Sequence, residues 1–149
     1  METNYTGGPS STAYPAGQTH GNPERPMHEV ARSSLTFDLA AEVERLRGEE
    51  SWRQSTRNAK TLVKEPDLRI VLIVMRQGAR MEEHHAPGRL SIQTLTGHLH
   101  LQVLDQTIDL PAGHVLALDP DVAHDVEALD ESAFLLTIAW PARASQEPG

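Results

Sequence analysis

The chain contains no cysteine, which excludes disulfides, thiolate metal sites and cysteine nucleophiles. Aromatic residues are scarce, with two each of Phe, Trp and Tyr. No apolar run approaches the roughly 18–20 residues that a membrane-spanning helix needs. The first residues, "METNYTGGPSSTAYPAGQ", lack the basic start and apolar stretch of a secretory signal, so a cytoplasmic location is the expectation. There is no G-x-S-x-G elbow, no P-loop and no dinucleotide fingerprint. Basic residues are also few: 13 against 21 acids, for a net charge of −8. The deficit sits in the C-terminal half, where residues 66–140 carry −7 and 119–131 hold six acids and no base. Such a surface repels phosphate backbones, so neither nucleic acid nor membrane is an expected partner.

What is present divides into three regions and a tail. Residues 1–27 are rich in Gly, Pro, Ser and Thr with almost nothing to bury, and read as a disordered arm. His20 and His28, in or beside it, read as solvated loop residues. Residues 28–57 form a helical extension. Thr36 is the expected N-cap, Asp38 suits the first turn and Gly48 the end. Leu39, Val43 and Leu46 give one apolar stripe, leaving Glu42, Glu44, Arg45 and Arg47 for the wet side. This helix is expected to dock on the domain at 58–141, and residues 142–149 to form a flexible tail.

From Asn58 the period changes. "RIVLIVM", Arg69–Met75, is a continuous β-branched run too short for a typical helix, and reads as a buried strand. Short runs then alternate with turns as far as "SAFLLTIAW". Eight or nine strands at this spacing predict an antiparallel all-β sandwich or barrel. In "HLHLQV" Leu99, Leu101 and Val103 share one face and His98, His100 and Gln102 the other. Those two histidines are therefore expected at the surface, facing solvent or a partner chain. His114 reads as a turn or strand-edge residue, and Trp52 and Trp140 as covers of the barrel openings or a subunit contact. Phe37 reads as a core plug on the helix. Arg76, Arg80 and Arg89 are candidates for the mouth of a site for an anionic substrate, and the six acids of 119–131 read as a solvated rim.

Gly78, five residues, then His84, closing at Gly97, is similar to the first cupin motif, G-x5-H-x-H-x3,4-E-x6-G. "GHVLALDPDVAHDVEA", opened by Gly113, with Pro120 and then His124, is similar to the second, G-x5-P-x-G-x2-H-x3-N. The chain thus resembles the cupin superfamily over roughly residues 58–140. The resemblance implies a jelly-roll barrel, and a site for one divalent metal (Fe, Mn, Zn or Ni) held by three histidines and a glutamate. Here the second histidine of H-x-H falls on Ala86, the glutamate on Leu90, and the motif-two asparagine and glycine on Ala128 and Val122. Only His84 and His124 carry over directly.

Alternation gives a second reading. His124 shares a face with Val126 and Ala128, so it points inward. In "ARMEEHHA" Met81, Glu83 and His85 share a face, which favours His85 as the inward neighbour; counting from Gly78 selects His84. A bulge would change the parity, and both stay open here. Glu83, His85 and His124 together would make a two-histidine, one-carboxylate set suited to Fe(II), Zn or Mn. Met81, Leu90 and Gln93 are the expected cavity lining.

Two functions follow from different classes: a barrel that binds a small molecule, with a degenerate metal site, or a metal-dependent enzyme of the dioxygenase, isomerase or lyase sort. A ligand-sensing domain is a third, but no helix-turn-helix is present to supply an output. The resemblance further implies a homodimer paired through a sheet edge or face.

Overall fold

A computed structural model describes residues 33–141. The arm at 1–27, its histidines, the start of the helical extension and the tail at 142–149 lie outside these residues.

Helix α1 spans Leu39–Arg47, and a short second helix, α2, spans Glu50–Arg53. Nine strands follow: β1 Arg57–Glu65, β2 Leu68–Met75, β3 Arg80–His84, β4 Arg89–Thr96, β5 His98–Val103, β6 Gln106–Pro111, β7 Val115–Leu118, β8 His124–Ala128 and β9 Ser132–Ala139. They form two antiparallel sheets, β1-β2-β9-β4-β7 and β3-β8-β5-β6. The all-β jelly-roll expectation holds. The barrel is not closed, however: no strand of one sheet is laddered to a strand of the other.

Three layers result. Between the sheets lies an apolar core that includes Val71, Ile73, Met75, Met81, Ile92, Leu99, Leu101, Val126 and Phe134. On the outer face of the five-stranded sheet a second cluster packs Val43, Leu46 and Trp52 over Leu62, Leu72 and Val74. Strand β2 is thus covered on both faces, which is why its sequence from Ile70 to Met75 is apolar and does not alternate.

The helical extension differs from expectation in three details. Asp38, not Thr36, caps α1: its carboxylate accepts from the Ala41 amide at 3.1 Å. Phe37 precedes the helix and packs, partly buried, on the outer cluster. Glu42 is not on the wet side but 7% exposed, reaching Lys60 Nζ at 2.9 Å beneath the helix. A carboxylate that a face count assigns to solvent is buried here because the sheet below presents a lysine, itself 4% exposed.

Two backbone positions are diagnostic. Gly97 has φ +87°, and a Cβ there would collide with the Glu131 carbonyl and Ser132. In the tight turn between β5 and β6, Leu104 has φ 57°. That is an uncommon conformation for a branched side chain, and Leu104 is 76% exposed.

Candidate functional site: a cross-strand histidine pair beside a polar cavity

Strands β3 and β8 carry the site. Their register runs Arg80↔Glu127, Met81↔Val126, then His84↔His124. Glu82 and Glu83 together face one residue, Asp125, so β3 holds one extra residue between Met81 and His84. This bulge shifts the parity. Met81 and His84 both turn inward, and the alternation that favoured His85 fails at that point. His85 is 60% exposed at its side chain, with Nδ1 3.6 Å from Asp121 Oδ1.

His84 and His124 are direct cross-strand partners, their ring centroids 4.3 Å apart and the planes at 64°. His124 is fully buried. Its Nδ1–H donates to the Val122 carbonyl at 3.0 Å, and the Nδ1–H of His84 donates to the Glu82 carbonyl at 2.6 Å. A carbonyl only accepts, so each neutral ring is the Nδ1–H tautomer with its lone pair on Nε2. The Nε2 of His124 is buried and has no hydrogen-bond partner among the described residues.

Electrostatics hold both rings neutral. Burial pushes the His84 imidazole down to about 3, helped by His124, Arg57 and His85 and opposed by the Glu82 carbonyl. Burial likewise lowers His124, with the Val122 carbonyl and nearby acids acting against it. In both rings the main cause is the solvation that a charged imidazole would lose in the interior.

His84 also lines a cavity of about 430 Å³, with Arg57, Arg80, Glu82 and Glu83 and the turn at Ser55–Thr56. It is bounded by the segment leading into β1 and by β3, edge strands of the two sheets. Arg80 is held by Asp125 at 2.8 Å, whereas Arg57 has no ion pair among the described residues.

The other expected site residues fare variously. Met81 and Leu90 face the apolar core, at 1% and 3% exposure, and are not on the cavity wall. Gln93 is exposed on the outer face of β4, because Leu90, Ile92 and Thr94 take the inward positions. Glu83 is exposed at the cavity wall, and the set Glu83–His85–His124 does not converge. Arg76 is structural: it donates to the Ser55 and Trp52 carbonyls and lies 4.2 Å over the Trp52 ring. Trp52 is accordingly part of the helix layer and not a cover of the barrel. Trp140 packs partly buried on the inner core. Arg89 pairs with Asp119 and Arg47 with Glu131 at 2.9 Å, so part of the acidic rim is tied to arginines from elsewhere in the fold.

One convergence was missed from sequence. On the outer face of the four-stranded sheet, His98 Nε2 and His100 Nε2 lie 2.6 and 3.0 Å from the same oxygen, Oδ1 of Asp109. Among the described residues this is the one set of three His, Asp or Glu side chains whose ligand atoms all lie within 4.8 Å of one another. The two-residue turn after Val103 fixes the β5–β6 register and could have placed Asp109 opposite His100.

No protein-family profile matches the chain, and no curated protein matches it in sequence. Solved structures do match its fold. A cupin superfamily protein from Desulfitobacterium hafniense DCB-2 superposes with a TM-score of 0.56 at 20% identity, covering 57% of this chain and 78% of that one. An RmlC-like cupin from Shewanella frigidimarina NCIMB 400 gives 0.54 at 22% identity, over 60% and 80%. A cupin-2 domain-containing protein from the same organism gives 0.56 at 14% identity, over 69% and 93%. At these identities the match establishes the fold: the chain is a cupin-fold protein. It says nothing of the chemistry, because one fold hosts many.

Proposed function

We propose that this cupin-fold chain binds a small polar molecule in the cavity beside His84, with His84 and His124 as its inner recognition pair. One observation carries the reading: the Nε2 lone pair of His124 is fully buried and unsatisfied. Leaving such an acceptor unpaired costs about 1–3 kcal/mol. A sequence that retains it there is explained by a partner arriving from outside. That partner must bring an N–H or O–H donor, or a cation.

A divalent metal is the second occupant that these residues fit. The two imidazoles are oriented by carbonyls at Nδ1, the usual outer support of ligating histidines, and would offer Nε2 to the ion. Two nitrogen donors without a converging carboxylate suit Zn or Ni better than Mn, and leave the ion's charge largely uncompensated. The metal site is therefore weak: Leu90 and Ala86 stand where the motif has its other ligands. A bound ion would supply Lewis acidity to a ligand in the cavity. The chain's own part is to hold two neutral imidazoles in place and offer Arg57 at the wall to an anionic group.

Metal-dependent catalysis of the dioxygenase, isomerase or lyase type is the alternative, favoured by one observation, that Glu83 shares the cavity wall with His84. We also infer pairing into a homodimer, since β3, β1, β6 and β7 leave sheet edges open; light scattering tests it.

The test of the principal reading uses the untagged full chain, stripped with a chelator. Zn²⁺ and Ni²⁺ are titrated into the parent and into His84→Ala, His85→Ala and His124→Ala, together with a library of small hydroxylated and carboxylated molecules. Ligand- or metal-induced stabilisation should fall in the first and third variants and persist in the second. Stabilisation that is unchanged in His124→Ala refutes the reading.

A further inference from the structure

We infer that His98, His100 and Asp109 form a surface site for a divalent transition-metal ion of the zinc or nickel class, separate from the His84–His124 pair. The site is built by register. His98 and His100 are alternate residues of β5, projecting from the face opposite the buried Leu99 and Leu101. Asp109 is the β6 residue directly across from His100. The imidazoles stand at 88° with centroids 5.7 Å apart, so their Nε2 atoms meet over one point.

That point is a single carboxylate oxygen. Two histidine nitrogens converge on Oδ1 of Asp109, filling both lone-pair directions of that oxygen. A carboxylate oxygen only accepts, so both Nε2 atoms carry protons in the ion-free state. With an ion in place, each neutral ring keeps its one proton but holds it on Nδ1, by exchange with solvent at partly exposed rings. Two nitrogens and one oxygen then face the cation, and water completes the shell.

The distances are close to what this requires. Ligand atoms at 2.0–2.1 Å around a tetrahedral ion lie about 3.3 Å from one another. The observed N–O separations of 2.6 and 3.0 Å need to open by roughly 0.7 and 0.3 Å to reach that spacing, through side-chain rotation with the strands in place. His100 has Glu127 across from it on β8; Glu127 and Asp125 both face Arg80, so the charge offered to a cation is that of Asp109. The two histidine nitrogens on Oδ1 leave Oδ2 of Asp109 with no hydrogen-bond partner shown among the described residues. Nitrogen donors discriminate against Mg²⁺ and Ca²⁺, which take all-oxygen shells.

The experiment titrates Zn²⁺ by calorimetry into the untagged, chelator-stripped full chain, the double variant His98→Gln/His100→Gln, Asp109→Asn, and His124→Ala. The double variant should bind one Zn²⁺ fewer than the parent. Asp109→Asn should bind that ion at least tenfold more weakly, and His124→Ala should retain it. Mg²⁺ at the same concentration should give no heat. Stoichiometry and affinity unchanged in the double variant overturn the proposal. If circular dichroism shows that the double variant has lost its strands, Asp109→Asn, which keeps shape and one acceptor oxygen, decides: unchanged Zn²⁺ affinity there overturns it equally. The test is independent of the barrel reading, because His124 projects inward while His98, His100 and Asp109 stand on the opposite, outer face of the sheet.

Discussion

His84 and His124 face each other across β3 and β8, ring centroids 4.3 Å apart, with each Nδ1 tied to a carbonyl two residues earlier in the chain. The pair is neutral because it is buried. Its protonation is therefore coupled to folding.

The sign of that coupling follows from the lowered values. Unfolded, each imidazole takes up a proton near 6.5; folded, His84 resists until about 3, and His124 also titrates below 6.5. The unfolded state thus binds more protons in this window, and stability falls as pH falls through it. Each histidine contributes a slope of up to about 1.4 kcal/mol per pH unit. The loss should begin below pH 6.5 and continue towards 3. Urea midpoints at about pH 7.5 and about pH 5, on either side of the unfolded histidine value, should differ more in the parent than in His84→Gln/His124→Gln; equal differences would contradict the burial account.

Beneath α1, Glu42 accepts from Lys60 at 2.9 Å, with both side chains nearly inaccessible, and Arg45 adds a second contact at 3.2 Å. Glu42→Gln leaves a buried ammonium unpaired and should cost about 3–5 kcal/mol. The double replacement Glu42→Leu/Lys60→Met should cost far less, since neither charge then needs to be desolvated. Chemical denaturation of the single and double variants reads this directly.

Leu104 holds φ 57° at the first central position of the β5–β6 turn, where glycine is the usual residue for a type II′ hairpin. The left-handed region costs a branched residue roughly 1–2 kcal/mol. Leu104→Gly should therefore raise the melting temperature, net of the greater freedom glycine has when unfolded. A fall in melting temperature would show that Leu104 makes a stabilising contact that outweighs the strain.

Gly97 is the opposite case. Its φ of +87° and the proximity of Glu131 and Ser132 leave no space for a methyl group. Gly97→Ala should destabilise by more than about 2 kcal/mol, combining strain with overpacking. Gly113→Ala, with φ +89° but open surroundings, should cost less, and the difference between the two thermal shifts measures the steric share.

Much of the architecture was legible along the chain. The switch from a helical stripe to β-branched runs located α1 and the strands. The alternation in "HLHLQV" put His98 and His100 on the outer face, and the inward turn of His124 followed from Val126 and Ala128. Three matters were not legible, each for a physical reason. A bulge leaves no residue signature in "ARMEEHHA", so nothing along the chain chose between His84 and His85; the pairing with β8 did. The burial of Glu42 depends on Lys60 from a strand 18 positions away. The place of Gln93 depends on which face of β4 meets the core.

By itself the sequence determined the fold class, the layer that each apolar stripe would join, and the absence of thiol chemistry, because hydrophobic periodicity and residue inventory are properties of local stretches. Only the tertiary structure decided which side chains meet: His84 and not His85 with His124, and two histidines with Asp109. Such meetings are set by strand register, and register is settled by the whole sheet, where one extra residue in β3 redirects every side chain beyond it.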